Sequence, residues 1–183
     1  LDGDVTPVPL DVADPASVAI LAERLSGVPI DLLINNAGIF GPRDTTLGAI
    51  DYAAWREVLD VNVLGPMRVA EAFLPHLREG EGRRIVTVSS RMGSIAENGG
   101  GQTIYRSSKA AVNSAMRGLA MDLAGEGFVC VVVHPGWVRT DMGGPGAAID
   151  AKESVTGLKR VIDGLGPADN GGFFNHDGST IPW

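Results

Sequence analysis

Cysteine is nearly absent: Cys130 stands alone, so no internal disulfide can form, and within "FVCVVV" it reads as a small apolar residue of a buried strand. Positive charge is also scarce, with 15 Lys and Arg against 22 Asp and Glu and a formal charge of -7. The densest basic run is only the "GRR" at 82–84. An excess of carboxylates repels phosphate backbones and anionic membranes, which argues against nucleic acid and lipid surfaces as partners. No apolar run approaches the ~20 residues that span a bilayer. The opening "LDGDVTPVPLDV" lacks the basic and apolar stretches of a secretory leader. The expectation is a soluble cytoplasmic protein. His76, His134 and His176 are too dispersed to suggest a metal site.

What is present is globular. Hydrophobic residues make up 44% and charged residues 20% of the chain, far from disordered composition. A chain of this length fits one domain, residues 1–183, burying about 70% of its unfolded surface. Short apolar runs alternate with longer helical patterns. Strands are expected in "VTPVPLDV", "IDLLINN", "RIVTVSS", "FVCVVVHP" and "GFFNHDG". Asp14-Pro15 opens a helix with Val18, Leu21, Ala22 and Leu25 inward. Asp150 and Glu153 form a capping box before Val155, Leu158, Ile162 and Leu165. This alternation predicts an α/β domain with a mostly parallel sheet.

Ligands of such sheets bind beyond the carboxyl ends of the strands. Those ends read Asp11-Val12, Asn35-Asn36-Ala37-Gly38, Ser89-Ser90 and His134-Pro135-Gly136. Gly38 and Gly136 remove the Cβ that would keep a ligand from the backbone. Taken together the ends suggest one long cleft.

Tyr105, Lys109, Val112, Met116, Leu119 and Leu123 form one helical stripe, so a phenol and an ammonium share a face. The plain alternative is that Tyr105 packs while Lys109 reaches back to solvent. Trp55, Val58, Leu59, Asn62, Val69, Phe73 and Leu77 trace a second inward face that carries an amide. That amide is either satisfied by backbone or water, or part of a site. Ser90 closes the third strand as a turn residue or as a hydroxyl aimed at the same cleft.

Asn62, Ser90, Tyr105 and Lys109 together match one chemical need. A free phenol is about one part in a thousand ionised at neutral pH, and a nearby ammonium favours the phenolate. A Tyr tuned in this way exchanges a proton with an alcohol or carbonyl oxygen. Ser90 would hold that oxygen, and the buried amide would fix a relay water. The set lacks only a hydride carrier.

These residues resemble the short-chain dehydrogenase/reductase family over essentially the whole chain. "LDV" at 10–12, "NNAG" at 35–38, Asn62 in "DVNVLG", "VSS" at 88–90, "YRSSK" at 105–109 and "HPGWVRTDM" at 134–142 appear in family order. The segments "YRSSKAAVN", "HPGWVRTDMGG" and "NGGFFNHDGSTIPW" look most like its carbonyl-reductase branch, with C-factor and sniffer-like proteins. The resemblance implies a doubly wound Rossmann-type parallel sheet and NAD(P)-dependent carbonyl reduction or secondary-alcohol oxidation. Asn62, Ser90, Tyr105 and Lys109 would be its catalytic tetrad, with Lys109 also holding the nicotinamide ribose. Asp11 and Val12 would border the adenine, Asn36, Ala37 and Gly38 would line the cofactor, and Pro135, Gly136, Val138 and Thr140 would hold the carboxamide end. NADP is slightly favoured over NAD. Ser89 and Ser94 rival Ser90, because the glycine-rich "ENGGG" lengthens the loop that follows. Asp141 to Asp150 would form a mobile substrate lid, with Trp137 either bordering the pocket or packing. A homodimer or homotetramer would be usual, and the partner a small carbonyl or alcohol.

One family feature is not matched. The family opens with a strand, a T-G-x-x-x-G-x-G turn and a helix, and "NGGG" at 98–101 and "GGPG" at 143–146 suit no such turn. The chain therefore reads as N-terminally incomplete, with the first two strands and first helix absent. In the order 3-2-1-4-5-6, its first strand would lie about 14 Å from the next, at roughly 4.7–4.9 Å per step. It would re-pair, meet a partner, or leave an exposed edge. The missing turn leaves a second reading open, a non-catalytic interaction or signalling protein on a truncated scaffold.

Overall fold

The computed structural model describes residues 3–43 and 45–183. Its elements run α1 (Pro15–Arg24), β1 (Leu32–Asn35), α2 (Tyr52–Leu59), α3 (Gly65–Glu79), β2 (Arg84–Val88), α4 (Thr103–Asp122), β3 (Val129–His134), α5 (Ala151–Gly164) and β4 (Phe173–Asn175). All neighbouring strands are parallel, in the spatial order β1-β2-β3-β4. Helices cover both faces, which makes the sheet doubly wound. Val129, Val131 and Val133 join Val86, Ile162 and Leu165 in one core. Cys130 and Ile85 meet Phe73, Leu77 and Ala120 on the opposite face, while Val132 packs with Val112 and Met116. Burial on both faces is why β3 is an unbroken apolar run.

Helix starts follow the caps. The Asp14 side chain accepts from Ala16 N and that of Asp150 from Glu153 N. The expected inward face of α5 holds at Leu158, Ile162 and Leu165 but not at Val155. Val155 is 60% exposed, while Ser154, Gly157 and Ile162 are buried. Gly157 lies so close to the backbone of His176 that a Cβ there would sit 2.4 Å from its carbonyl oxygen. Small residues therefore take the face that an apolar count assigned to Val155.

The first expected strand is corrected too. Residues 4–10 carry no ladder bonds, because Pro7 and Pro9 have no N–H to donate and no neighbouring strand pairs with them. Among the described residues β1 therefore ends the sheet, and Ile34 within it is 46% exposed. The helix expected through Asn62 is also not regular. Between α2 and α3 the turn Asp60–Leu64 is π-helical, with Gly65 N bonded back to Asp60 O. Pro66 has no N–H for the Asn62 carbonyl four residues back, so an ordinary α-turn cannot run through this point.

Candidate active site

The π-turn aims Asn62 at the segment leaving β1. Its Oδ1 accepts from Ile39 N at 2.8 Å, and its Nδ2 donates to Ile39 O at 2.9 Å and to Ser108 Oγ at 3.0 Å. Both amide hydrogens are thus in use. The amide clamps the loop, and the second lone pair of Oδ1 is its remaining polar position. Gly38 lies in the clamped loop beside the same groups. A Cβ there would stand 3.3 Å from Asn62 Oδ1 and 3.4 Å from Lys109 Nζ. With Asn36 and Ala37 exposed ahead of it, the loop forms an open ledge.

Tyr105 and Lys109 lie in the first two turns of α4, 7% and 5% exposed. Lys109 Nζ donates to Val88 O at 3.1 Å and stands 5.8 Å from the centre of the Tyr105 ring. Burial lowers the ammonium to about 8. Burial also pushes the Tyr105 phenol up from its ordinary value, and the Ser90 hydroxyl pulls it part of the way back. The expectation that the ammonium depresses the phenol is therefore not met here, because desolvation of both groups dominates.

Ser90 caps the 3₁₀ turn Arg91–Gly93, its Oγ accepting from Met92 N at 3.1 Å. Ser89 Oγ is turned to Lys109 O at 3.5 Å, and Ser94 Oγ accepts from Glu97 N at 3.1 Å. Of the three serines, Ser90 is the one acting on the phenol. The turn rests on α4, since a Cβ on Gly93 would lie 2.7 Å from the carbonyl carbon of Lys109. The glycines at 99–101 are followed by Gln102, at φ 49, and lead straight into α4. They follow a loop and not the strand that a phosphate-binding turn requires.

The remaining sequence candidates lie around this centre. Asp11 closes a local turn, its Oδ1 accepting from Ala13 N, beside a groove of about 600 Å³ lined in part by Leu10, Ser17 and Ile20. Arg68 ties Val12 O to Asp60 at the π-turn. On the far side, Pro135 O accepts from Ser154 Oγ at 2.6 Å, and Gly136 takes φ 85. Val138 pairs with Ile149, and Thr140 Oγ1 accepts from Gly143 N within its own loop. His134 is lowered to about 4 by burial. Among the described residues no three His, Cys, Asp or Glu side chains gather as a metal would need.

Sequence reasoning missed Phe40, which stacks on Tyr105 with centroids 4.3 Å apart and planes at 16°. It also missed Ser108, whose hydroxyl joins Asn62 to α4. Neither contact has a period in the sequence; only the adjoining "NNAG" and "YRSSK" point to the neighbourhood.

The residues present suit the nicotinamide-ribose half of a dinucleotide. A buried ammonium with donors to spare faces a ledge where a glycine keeps the space beside it clear.

The model of the short chain dehydrogenase family matches residues 1–148. The chain is 53% identical over 156 residues to the "C-signal" protein of Myxococcus xanthus, covering 85% of this chain and 93% of that one. The carbonyl reductase Sniffer of D. melanogaster superposes with a TM-score of 0.90 at 34% identity, over 96% of this chain and 77% of that one. The NADPH-bound carbonyl reductase from chicken fatty liver gives 0.88 at 37% identity, over 96% and 76%.

Proposed function

The chain belongs to the short chain dehydrogenase family of NAD(P)-dependent oxidoreductases, and on that premise we propose that it reduces a small carbonyl compound with Tyr105 as the proton donor. One observation carries this reading. Tyr105 and Lys109 are both more than nine-tenths buried on one face of α4, beside the Gly38 ledge. A phenol held above its ordinary value keeps its proton at neutral pH, which suits an acid that protonates a carbonyl oxygen. The nicotinamide cofactor, when bound, supplies the hydride to the carbonyl carbon.

In this reading Ser90 donates a hydrogen bond to the carbonyl oxygen, and Lys109 binds the ribose hydroxyls. Asn62 keeps the ledge in shape through Ile39. Asn36, Ala37 and Gly38 line the cofactor, Asp11 and Val12 border its adenine, and Pro135, Gly136, Val138 and Thr140 take its carboxamide end. A non-catalytic scaffold is not favoured, because an ammonium buried this deeply costs stability with no return. The same reading places the protein in the cytoplasm as a homodimer or homotetramer. A monomeric mass in solution at micromolar concentration would remove the assembly part.

The test is a fluorescence titration of the folded chain with NADPH and NADH. Saturable binding that weakens in Lys109→Met supports the assignment. Absence of binding up to millimolar cofactor contradicts it.

A further inference from the structure

The loop from Trp137 to Asp150 closes largely on itself. Ile149 N donates to Trp137 O and Arg139 N to Ile149 O, which pins its base. Trp137 Nε1 donates to Gly143 O at 2.9 Å and Gly144 N to Thr140 O at 2.8 Å, which folds its tip. Among the described residues, one hydrogen bond ties the stretch 140–146 to residues outside the 137–150 loop: Arg43 Nη2 donates to Met142 O at 2.7 Å.

Arg43 comes from the other wall of the site. Its guanidinium lies over the Phe40 ring, 4.6 Å from the centroid, and makes no ion pair among the described residues. Phe40 in turn lies flat on Tyr105. The backbone between them is held, because Gly41 has φ 75 and a Cβ there would sit 2.6 Å from Val58 Cγ2. A continuous stack therefore runs from the loop tip through a cation and two rings to the phenol.

We propose that Phe40 and Arg43 are positioning residues that couple closure of the 137–150 loop to the orientation of the Tyr105 ring. Opening the loop breaks the Met142 bond, frees the guanidinium to leave the Phe40 face, and loosens the ring that holds the phenol. Closing it restores all three contacts, so the proton donor is ordered when the site is covered. The catalytic meaning of the coupling rests on the carbonyl-reductase reading; its physical content does not.

Hydrogen–deuterium exchange of the whole chain, read at the loop amides of Gly143 and Gly144, tests it. Arg43→Ala, Phe40→Leu and Tyr105→Ala should each speed loop exchange by about tenfold. Phe40→Tyr and Tyr105→Phe keep the rings and should leave it unchanged. Exchange across β2 and β3 reports whether each variant is folded, and Tyr105→Leu replaces Tyr105→Ala if the smaller side chain loosens the core. Unchanged loop exchange in Arg43→Ala, in Phe40→Leu or in the folded Tyr105 variant overturns the coupling. No turnover enters the readout, so a protein that reduced no carbonyl would still report on the stack.

Discussion

Asn62 holds both polar backbone groups of Ile39, accepting from its amide at 2.8 Å and donating to its carbonyl at 2.9 Å. The π-turn at Asp60–Leu64 turns the side chain to do so, and the clamp sets the ledge beside Lys109. Asn62→Ala leaves those groups without their partner, at about 1–3 kcal/mol for each that stays dry. Asn62→Asp keeps the acceptor but sets a buried carboxylate against the Ile39 carbonyl. Both variants should unfold at lower urea than the parent, with Asp no better than Ala above the carboxylate range. A midpoint unchanged in Asn62→Ala would mean the clamp is idle.

Lys109 gives a pH signature. Its folded value, about 8, lies below the ordinary 10.5, so between those values the unfolded chain binds more protons than the folded one. Stability therefore rises with pH across that window, and the burial penalty is fully present below it. Lys109→Met should remove that slope and add about 1–3 kcal/mol at neutral pH, while cofactor affinity falls. Urea unfolding from pH 7 to 10 checks the first effect and the cofactor titration the second. For the parent, cofactor affinity should also decline as pH passes about 8 and the ammonium loses its charge.

Gly93 is the closest backbone approach in the centre. A Cβ there meets the Lys109 carbonyl carbon at 2.7 Å and oxygen at 2.8 Å, with no flexible side-chain end to give way. Gly93→Ala should push the Ser90 turn off α4 and cost about 1–3 kcal/mol. Gly99→Ala, in open space on the same loop, should cost less than about 0.5 kcal/mol. Equal midpoints for the two would refute the close approach.

Gly136 requires a left-handed backbone, at φ 85, where it turns the chain from β3 into the 137–150 loop. Gly136→Ala is expected to lose about 1–2 kcal/mol of stability, by urea unfolding, and to raise the apparent KM for NADPH. A parent-like KM would detach this turn from the cofactor.

Much of this fold is legible in the sequence. Asp14 and Asp150 announce their helices through a side-chain bond to a nearby amide, a purely local event. The stripe carrying Tyr105 and Lys109 is legible because α4 is long and its apolar positions repeat. Tertiary events were not readable. Residues 5–12 have strand-like composition, but a strand needs a neighbour, and Pro7 and Pro9 weaken the ladder further. Period alone puts Val155 inward, whereas Gly157 packs against the His176 backbone and Val155 stays exposed. The π-turn did have a signal, in Pro66 four residues after Asn62. The Phe40–Tyr105 stack had none, since it joins residues far apart in sequence. The direction of the Tyr105 shift also depends on burial, which spacing along a helix does not report.

The most direct test of Tyr105 as proton donor is the initial rate of NADPH oxidation over a panel of aldehydes and ketones, for the parent and Tyr105→Phe. Loss of general acid catalysis should lower kcat by about 10²–10⁴-fold on every accepted substrate, with NADPH affinity and unfolding midpoint close to the parent's. A Tyr105→Phe variant that reduces the same carbonyls at the parent's rate would contradict the account.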